Sequence, residues 1–290
     1  MSKTLMALAA AGLLATSAQA HPADPTPVIA AERAFSARAA MVGIAPSFLE
    51  YMTDDAIVFS PGPVNAKTLY GGHPPPKTPK DGGTLLAWWP NYAGIARSGD
   101  LGFTTGPATI NGGKPGVFYF TVWQRQSSGG WKWIYDGGID ADGTAAPGPA
   151  AAPIALPPGD AKPLSPAVAI TQVRAAEAAL AARAKTDSAG AVTAALAPLA
   201  RVQGSAHMPA NGLAAAGREL ATRAKAIDFS PLGGGASRAG DLVWTYGDAR
   251  WEGGTGSYVR VWQRRGGGWK IVFDQIVEAP PAPPPTPATS

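Results

Sequence analysis

The 290-residue chain contains no cysteine, which removes disulfide frameworks and thiolate metal sites and leaves His, Asp and Glu as the only metal ligands of that kind. Histidine itself is scarce, with three in the chain. Charged residues make up 15%, and the cations are scattered instead of forming a stripe, which argues against a nucleic-acid partner. The chain lacks a Gly-rich phosphate cradle with its Lys and Ser/Thr, and it lacks a Gly-x-Ser-x-Gly elbow. Nowhere does an apolar run reach the ~20 residues that span a bilayer. Neither a metal nor a cofactor is expected.

Present at the N-terminus are Lys3, an apolar Leu/Ala run over residues 5–14 and the small-residue exit Ala18-Gln19-Ala20. That is the pattern of a secretory signal peptide over residues 1–20, cleaved after Ala20, and it predicts a periplasmic or secreted protein. His21 would then begin the mature chain, but Pro22 has no backbone N–H for a copper chelate, so a disordered end is expected there.

The dominant feature is a duplication. YFTVWQRQSSGGWKWIYD at residues 119–136 pairs with YVRVWQRRGGGWKIVFD at 258–274, SGDLGFTTGPA from Ser98 with AGDLVWTYGDA from Ala239, and AERAFSAR from Ala31 with AEAALAAR from Ala176. A weaker match joins Pro63-Val64-Asn65-Ala66 to Pro209-Ala210-Asn211-Gly212. Matches in the same order indicate two copies of one domain, at 26–140 and 166–278. They are separated by a Pro/Ala-rich, semi-rigid linker at 141–165 and followed by a disordered tail at 279–290.

Each copy opens with helical patterns, at 29–41 and 168–184, then at 46–52 and 189–196, then at 84–89 and 213–225. The closing segments, 117–125, 131–140, 257–265 and 269–278, are rich in β-branched and aromatic residues between Gly-rich turns, as antiparallel hairpins are. Gly233-Gly234-Gly235 and Gly266-Gly267-Gly268 read as loops. The fold class is α+β, with N-terminal helices packed on a curved antiparallel sheet. In 117–125, Val117, Tyr119, Thr121 and Trp123 share one face and Phe118, Phe120 and Val122 the other, so neither suits water. Helices can cover one face, and the sheet of the other copy is the economical cover for the second, which predicts an intrachain pseudo-dimer.

AERAFSARAA, FLEYMTDDAIVFSPGPVN, LLAWWPNYAGIARSGDLGFTTGP and VWQRQSSGGWKWIYDGGID resemble the DUF4440 branch of the nuclear-transport-factor-2-like (NTF2-like, SnoaL-like) superfamily. The first copy resembles it along nearly its whole length, and the second mainly through AGDLVWTYG and YVRVWQRRGGGWKIVFD. The resemblance implies a cone-shaped α+β domain with a pocket between helices and curved sheet, often paired through the sheets. It implies no single activity, since relatives include isomerase-like and dehydratase enzymes, cyclases and non-catalytic binding domains.

Several residues are candidates for chemistry. The Trp123/Trp131 and Trp262/Trp269 pairs read either as an aromatic cage or, more simply, as core mass. Asp136 and Asp274 hold equivalent places on the final strand, where a buried carboxylate could act as a general base or could pair with Lys132, Lys270 or a strand Arg. Asp100 and Asp241 read as turn residues and Asp54 and Asp55 as solvated. His73 lies in a Gly/Pro loop able to lid the first pocket, and His207 has no equivalent in the repeat. The first copy retains Phe59, Tyr70, His73, Trp88, Trp89 and Tyr92 where the second is mostly Ala and Gly. The expected pocket is therefore that of the first copy, lined by Phe59, Tyr70, Trp88, Trp89, Tyr92 and Trp123 and suited to a small apolar ligand. The alternative is a cofactor-independent lyase or isomerase using Asp136 or His73. No nucleic acid and no membrane span is expected.

Overall fold

A computed structural model describes residues 24–72 and 76–281. The expected leader, His21, His73 and most of the expected tail lie outside them. The fold is α+β, with six α-helices and two mixed sheets among the described residues. No helix among them is long and apolar enough to cross a membrane.

The first half runs α1 (Thr26–Val42), α2 (Ile44–Tyr51), β1 (Met52–Phe59), β2 (Pro63–Asn65), α3 (Ala66–Gly71), β3 (Leu86–Trp88), β4 (Tyr92–Ile95), β5 (Leu101–Ile110), β6 (Val117–Arg125) and β7 (Trp131–Asp140). With β8 (Ile154–Ala155) these form a sheet in the order β2-β1-β7-β6-β5-β4-β8, β3 pairing with the far end of β5. The second half repeats the plan. It comprises α4 (Pro166–Ala184), α5 (Ser188–Ala195), β9 (Leu196–Gln203), β10 (Ala210–Asn211), α6 (Leu213–Leu220), β11 (Asp228–Ala236), β12 (Leu242–Trp251), β13 (Gly254–Arg265) and β14 (Gly268–Glu278). Its sheet order is β10-β9-β14-β13-β12-β11.

The first helix of each half buries one stripe at helical spacing: Val28, Glu32, Phe35 and Ala39 in α1, and Ala169, Val173, Glu177, Leu180 and Ala184 along α4. Each stripe carries one carboxylate among apolar neighbours. Asp24 starts α1 by accepting from the Thr26 amide at 3.0 Å, Ser165 caps α4 through the Val168 amide, and α1 stops at Gly43, whose φ of 90° suits glycine.

Three expectations are corrected. Residues 84–89 are not helical: β3 pairs with β5, Trp88 opposite Ala108, and Ser36 Oγ satisfies the Trp88 backbone on its free side, so tertiary pairing overrides helical preference. Gly233-Gly234-Gly235 belongs to β11 and pairs with β12; a Cβ at Gly233 would fall 2.7 Å from the Tyr246 ring, so the aromatic neighbours of β12 occupy the room that side chains would take. The helix expected at 213–225 ends at Leu220, because the chain turns there to bring Arg223 onto Asp274.

The Pro/Ala-rich segment 141–165 is held along its length. β8 pairs with β4, Leu156 is buried, and the carbonyls of Pro157 and Ala161 accept from Gln263 Nε2 at 3.0 Å and Arg97 Nη2 at 2.7 Å. Side chains of both sheets also share one apolar cluster, including Phe103, Phe120, Tyr135, Val259 and Phe273. Phe120 and Phe273 stack with centroids 3.7 Å apart and planes 8° from parallel. The Tyr92 hydroxyl lies between the carbonyls of Leu199 and Val272 at 2.7 and 2.9 Å, and the Arg201 guanidinium lies over the Tyr92 ring. At one end the contact is reciprocal: Asp241 accepts from the Arg97 amide at 2.9 Å, and Asp100 from the Arg238 amide at 3.0 Å. The two Gly-Asp turns thus also fasten the halves to each other.

If the stacked pair carries this contact, Phe120→Ala and Phe273→Ala should each lower unfolding free energy by about 3–5 kcal/mol, and the double variant should lose less than the sum. Urea denaturation checks this. Single losses below about 1 kcal/mol, in the range of a surface change, would place the stabilising contacts elsewhere.

Candidate functional site

Both halves present the same polar constellation on the helix side of the sheet, and a β-bulge in each creates it. Between β6 and β7, Val122 faces Tyr135 and Trp123 faces Trp133, so Ile134 is the extra residue. Between β13 and β14, Val261 faces Phe273 and Trp262 faces Ile271, so Val272 is the extra residue. Because side chains alternate, one extra residue reverses the facing of everything after it. Tyr135 and Phe273 are thereby sent into the cluster between the sheets, and Asp136 and Asp274 toward the helices, opposite Thr121 and Arg260.

In the second half the acids are paired. Arg260 Nε donates to Asp274 at 2.6 Å and its Nη1 to Glu177 at 2.7 Å, while Arg223 donates to the other Asp274 oxygen. Glu177 also accepts from Trp262 Nε1 at 2.8 Å and Thr245 Oγ1 at 2.6 Å. Burial alone would raise the Asp274 pKa, but Arg223 and Arg260 overcome it and hold the carboxyl below its ordinary range.

In the first half Thr121 stands where the second has Arg260. Glu32, in the place of Glu177, accepts from Trp88 Nε1 at 2.5 Å, Trp123 Nε1 at 2.8 Å and the Thr104 hydroxyl. Asp136 accepts from Thr121 Oγ1 at 2.7 Å. No Lys or Arg of the described residues contacts either carboxyl. Burial pushes both above their ordinary range, Asp136 well above, with the nearby Glu32 adding to the shift.

Above Asp136 opens a cavity of about 340 Å³. Ile44, Phe48, Val58, Leu86, Trp88 and Ala108 form its apolar walls, Asp136, Tyr70, Tyr119 and Tyr135 also border it, and Phe59, Leu69 and Val277 of β14 lie around it. The Tyr119 and Tyr135 hydroxyls are buried with no hydrogen-bond partner among the described residues. Gly137 is constrained here, since a Cβ would stand 2.7 Å from the Tyr135 hydroxyl.

Of the six expected lining residues, Phe59, Tyr70 and Trp88 border the cavity and Trp89, Tyr92 and Trp123 do not; the candidate base Asp136 borders it as well. Trp89 donates to the Pro147 carbonyl, Tyr92 is locked between the sheets, and Trp123 is core mass whose indole N–H serves Glu32. In the second half, Trp262 is likewise buried on Glu177, and Trp269 donates to Gln172. His207 is exposed, 3.8 Å from Glu219, and Asp54 pairs with Lys67 on the surface. Glu32 is not among the candidates above, although the sequence carries its signal: a lone acid inside an apolar helical stripe, repeated at Glu177. Among the described residues no group of His, Asp and Glu could hold a metal ion.

No family model and no curated protein matches the chain. Solved structures do. A cystatin-like-fold protein of unknown function from Nostoc punctiforme is 13% identical, with 41% of this chain and 97% of that one covered and a TM-score of 0.35. An NTF2-like protein of unknown function from Pseudomonas putida is 14% identical, covering 39% and 89% with a TM-score of 0.34. A DUF3225-family protein from Pectobacterium atrosepticum is 14% identical, covering 39% and 93%, also at 0.34. The structures this chain is similar to are thus NTF2-like and cystatin-like proteins.

Proposed function

We propose that the first half is the receptor for a small, mostly apolar molecule, in an exported, periplasmic or secreted protein built as two tandem NTF2-like domains. The second half braces the first as an intrachain pseudo-dimer. The observation that carries the reading is the cavity above Asp136. Its volume of about 340 Å³ falls in the range of small-molecule sites, and its walls are apolar with a few convergent polar groups. Supporting the pairing are the Phe120–Phe273 stack and the reciprocal Asp100 and Asp241 contacts. The leader-like residues 1–20 support export.

A cofactor-independent lyase or isomerase would draw on the same groups, since Asp136 and three tyrosines border one cavity. A general base must be ionised at the working pH. Burial raises the Asp136 pKa, as it does for carboxyls that serve as general acids or bases, so the choice rests on the lining: the walls are mostly apolar, and binding is the preferred reading.

Leu69 borders the cavity and is 37% exposed, so a larger residue there obstructs entry with little strain on the core. The neutral fluorophore N-phenyl-1-naphthylamine is expected to bind the purified chain, and Leu69→Trp to weaken it roughly tenfold or more, about 1.4 kcal/mol. Equal binding by both forms, or none by either, would refute the reading.

The state of Asp136 is open to a stability test. A carboxyl whose pKa is raised by folding stabilises the fold fully below its unfolded value of about 3.9, and that contribution is lost as pH rises through the folded value. Asp274, whose pKa is lowered, behaves oppositely: its contribution is present above the unfolded value and is lost as pH falls through the folded one. Asp136→Asn should therefore gain stability over the parent as pH rises from about 4 to about 8. Asp274→Asn should lose about 3–5 kcal/mol at neutral pH by leaving Arg223 and Arg260 short of a counter-charge, and the deficit should shrink in acid. Urea unfolding from about pH 2 to about pH 8 measures both slopes, that of Asp274 below about pH 4 and that of Asp136 above it; a profile parallel to the parent's for either variant in its own window would contradict the assignment.

A further inference from the structure

In the second half a guanidinium occupies the space between sheet and helices. Its carbon lies 4.2 Å from the ring centroids of both Phe229 and Tyr258, and its nitrogens bond to Asp274 and Glu177. Each of these partners has a counterpart in the first half. Tyr119 and Asp136 stand where Tyr258 and Asp274 do on the matched strands, and Glu32 stands where Glu177 does. Trp88 faces Ala108 across β3 and β5 as Phe229 faces Ala249 across β11 and β12. The cation alone has no counterpart, because its position is Thr121.

Trp88, Tyr119 and Asp136 all border the cavity of the first half. Tyr119 is 6% exposed, and its hydroxyl has no partner among the described residues. Glu32 is already occupied by three donors, whereas Asp136 accepts from Thr121 on one oxygen, which leaves the other for a ligand. The first half keeps the acid and the aromatic pair that hold a guanidinium in the second, and a cavity lies beside them.

We propose that this cavity takes a small organic cation, a primary amine or guanidine on an apolar body, with its charge against Asp136 and beside the rings of Trp88 and Tyr119. The assignment rests on the reading of the cavity as a ligand site and adds the chemistry of the ligand's head. Ring faces attract cations, most strongly where water is excluded, and a cation at hydrogen-bond distance favours the ionised carboxylate. Binding of an ammonium ion should therefore drive a proton off Asp136 into solution. The other ionisable groups bordering the cavity are the phenols of Tyr70, Tyr119 and Tyr135, which burial keeps neutral.

The test compares isosteric probes on the purified chain by titration calorimetry at neutral pH: 2-phenylethylamine, neutral 2-phenylethanol and anionic phenylacetate. The amine is expected to bind at least tenfold tighter than the alcohol, with phenylacetate weakest, and to release a proton, read from heats in buffers of different ionisation enthalpy. Asp136→Asn should abolish both the amine preference and the proton release while the alcohol still binds. Thr121→Arg supplies the cation from within, so it should lose amine binding with its far-ultraviolet circular dichroism unchanged. An alcohol that binds as tightly as the amine, or an amine preference that survives in both variants, overturns the proposal and leaves the apolar-receptor reading standing. Failure of all three probes and of N-phenyl-1-naphthylamine overturns both.

Discussion

A carboxyl carried into an apolar interior must be given hydrogen bonds, a counter-charge or a proton, and both halves of this chain are organised around that requirement. Glu32 and Glu177 sit in the buried stripes of α1 and α4, and each is met by the indole N–H of the matching strand tryptophan, Trp123 or Trp262. That bond joins the first helix to the centre of the sheet, so the register of helix on sheet follows from satisfying one carboxyl. The second acid of each half, placed by the bulge, receives opposite treatment. Asp274 is given two arginines and is held in its charged form; Asp136 is given one threonine and a cavity. One strand position, Thr121 against Arg260, separates a closed ion cluster from an open site.

The bulge deserves equal weight in explaining how one sheet serves two cores. Without Ile134 and Val272 as extra residues, Asp136 and Asp274 would face the apolar cluster between the sheets, while Tyr135 and Phe273 would face the helices. The stack of Phe120 on Phe273 and the acid on the opposite face are thus two results of a single backbone irregularity. That irregularity recurs in both halves, within the segment where their sequences match, YFTVWQRQSSGGWKWIYD against YVRVWQRRGGGWKIVFD.

Much of this was legible in the sequence where periodicity and repetition act together. The alternation of 117–125 separated Tyr119 and Trp123 from Phe120 and Val122, and these residues do lie in different clusters. The repeated strings also paired Asp136 with Asp274. Legibility failed where tertiary contacts override local preference. Leu86, Ala87 and Trp88 have helical composition but lie on the end of β5, and the glycines of β11 become strand because Trp244 and Tyr246 cover them. Aromatic character alone also overfilled the expected pocket: Tyr92 and Trp123 are large aromatics like Trp88, yet both are fully buried away from the cavity, whereas Trp88 borders it. The single most informative difference, YFTVWQR against YVRVWQR, was in plain view. Its meaning required knowing that this strand position faces two acids.

The asymmetry between the halves then has a physical account. The front of the second half is rich in alanine and glycine, and Arg260 and Arg223 of that half are buried and tied to its acids. A buried ion cluster is strongly geometry-dependent, because removing any one partner leaves uncompensated charge, so it holds β13 and β14 rigidly. β14 is also the strand that sends Phe273 onto Phe120 and Val277 to the edge of the cavity. The closed half therefore fixes one side of the open one through a strand that carries Asp274 on one face and the inter-sheet contact on the other. A site that leaves Asp136 without a counter-charge and Tyr119 and Tyr135 without partners sacrifices local stability, and that strand is positioned to compensate for it.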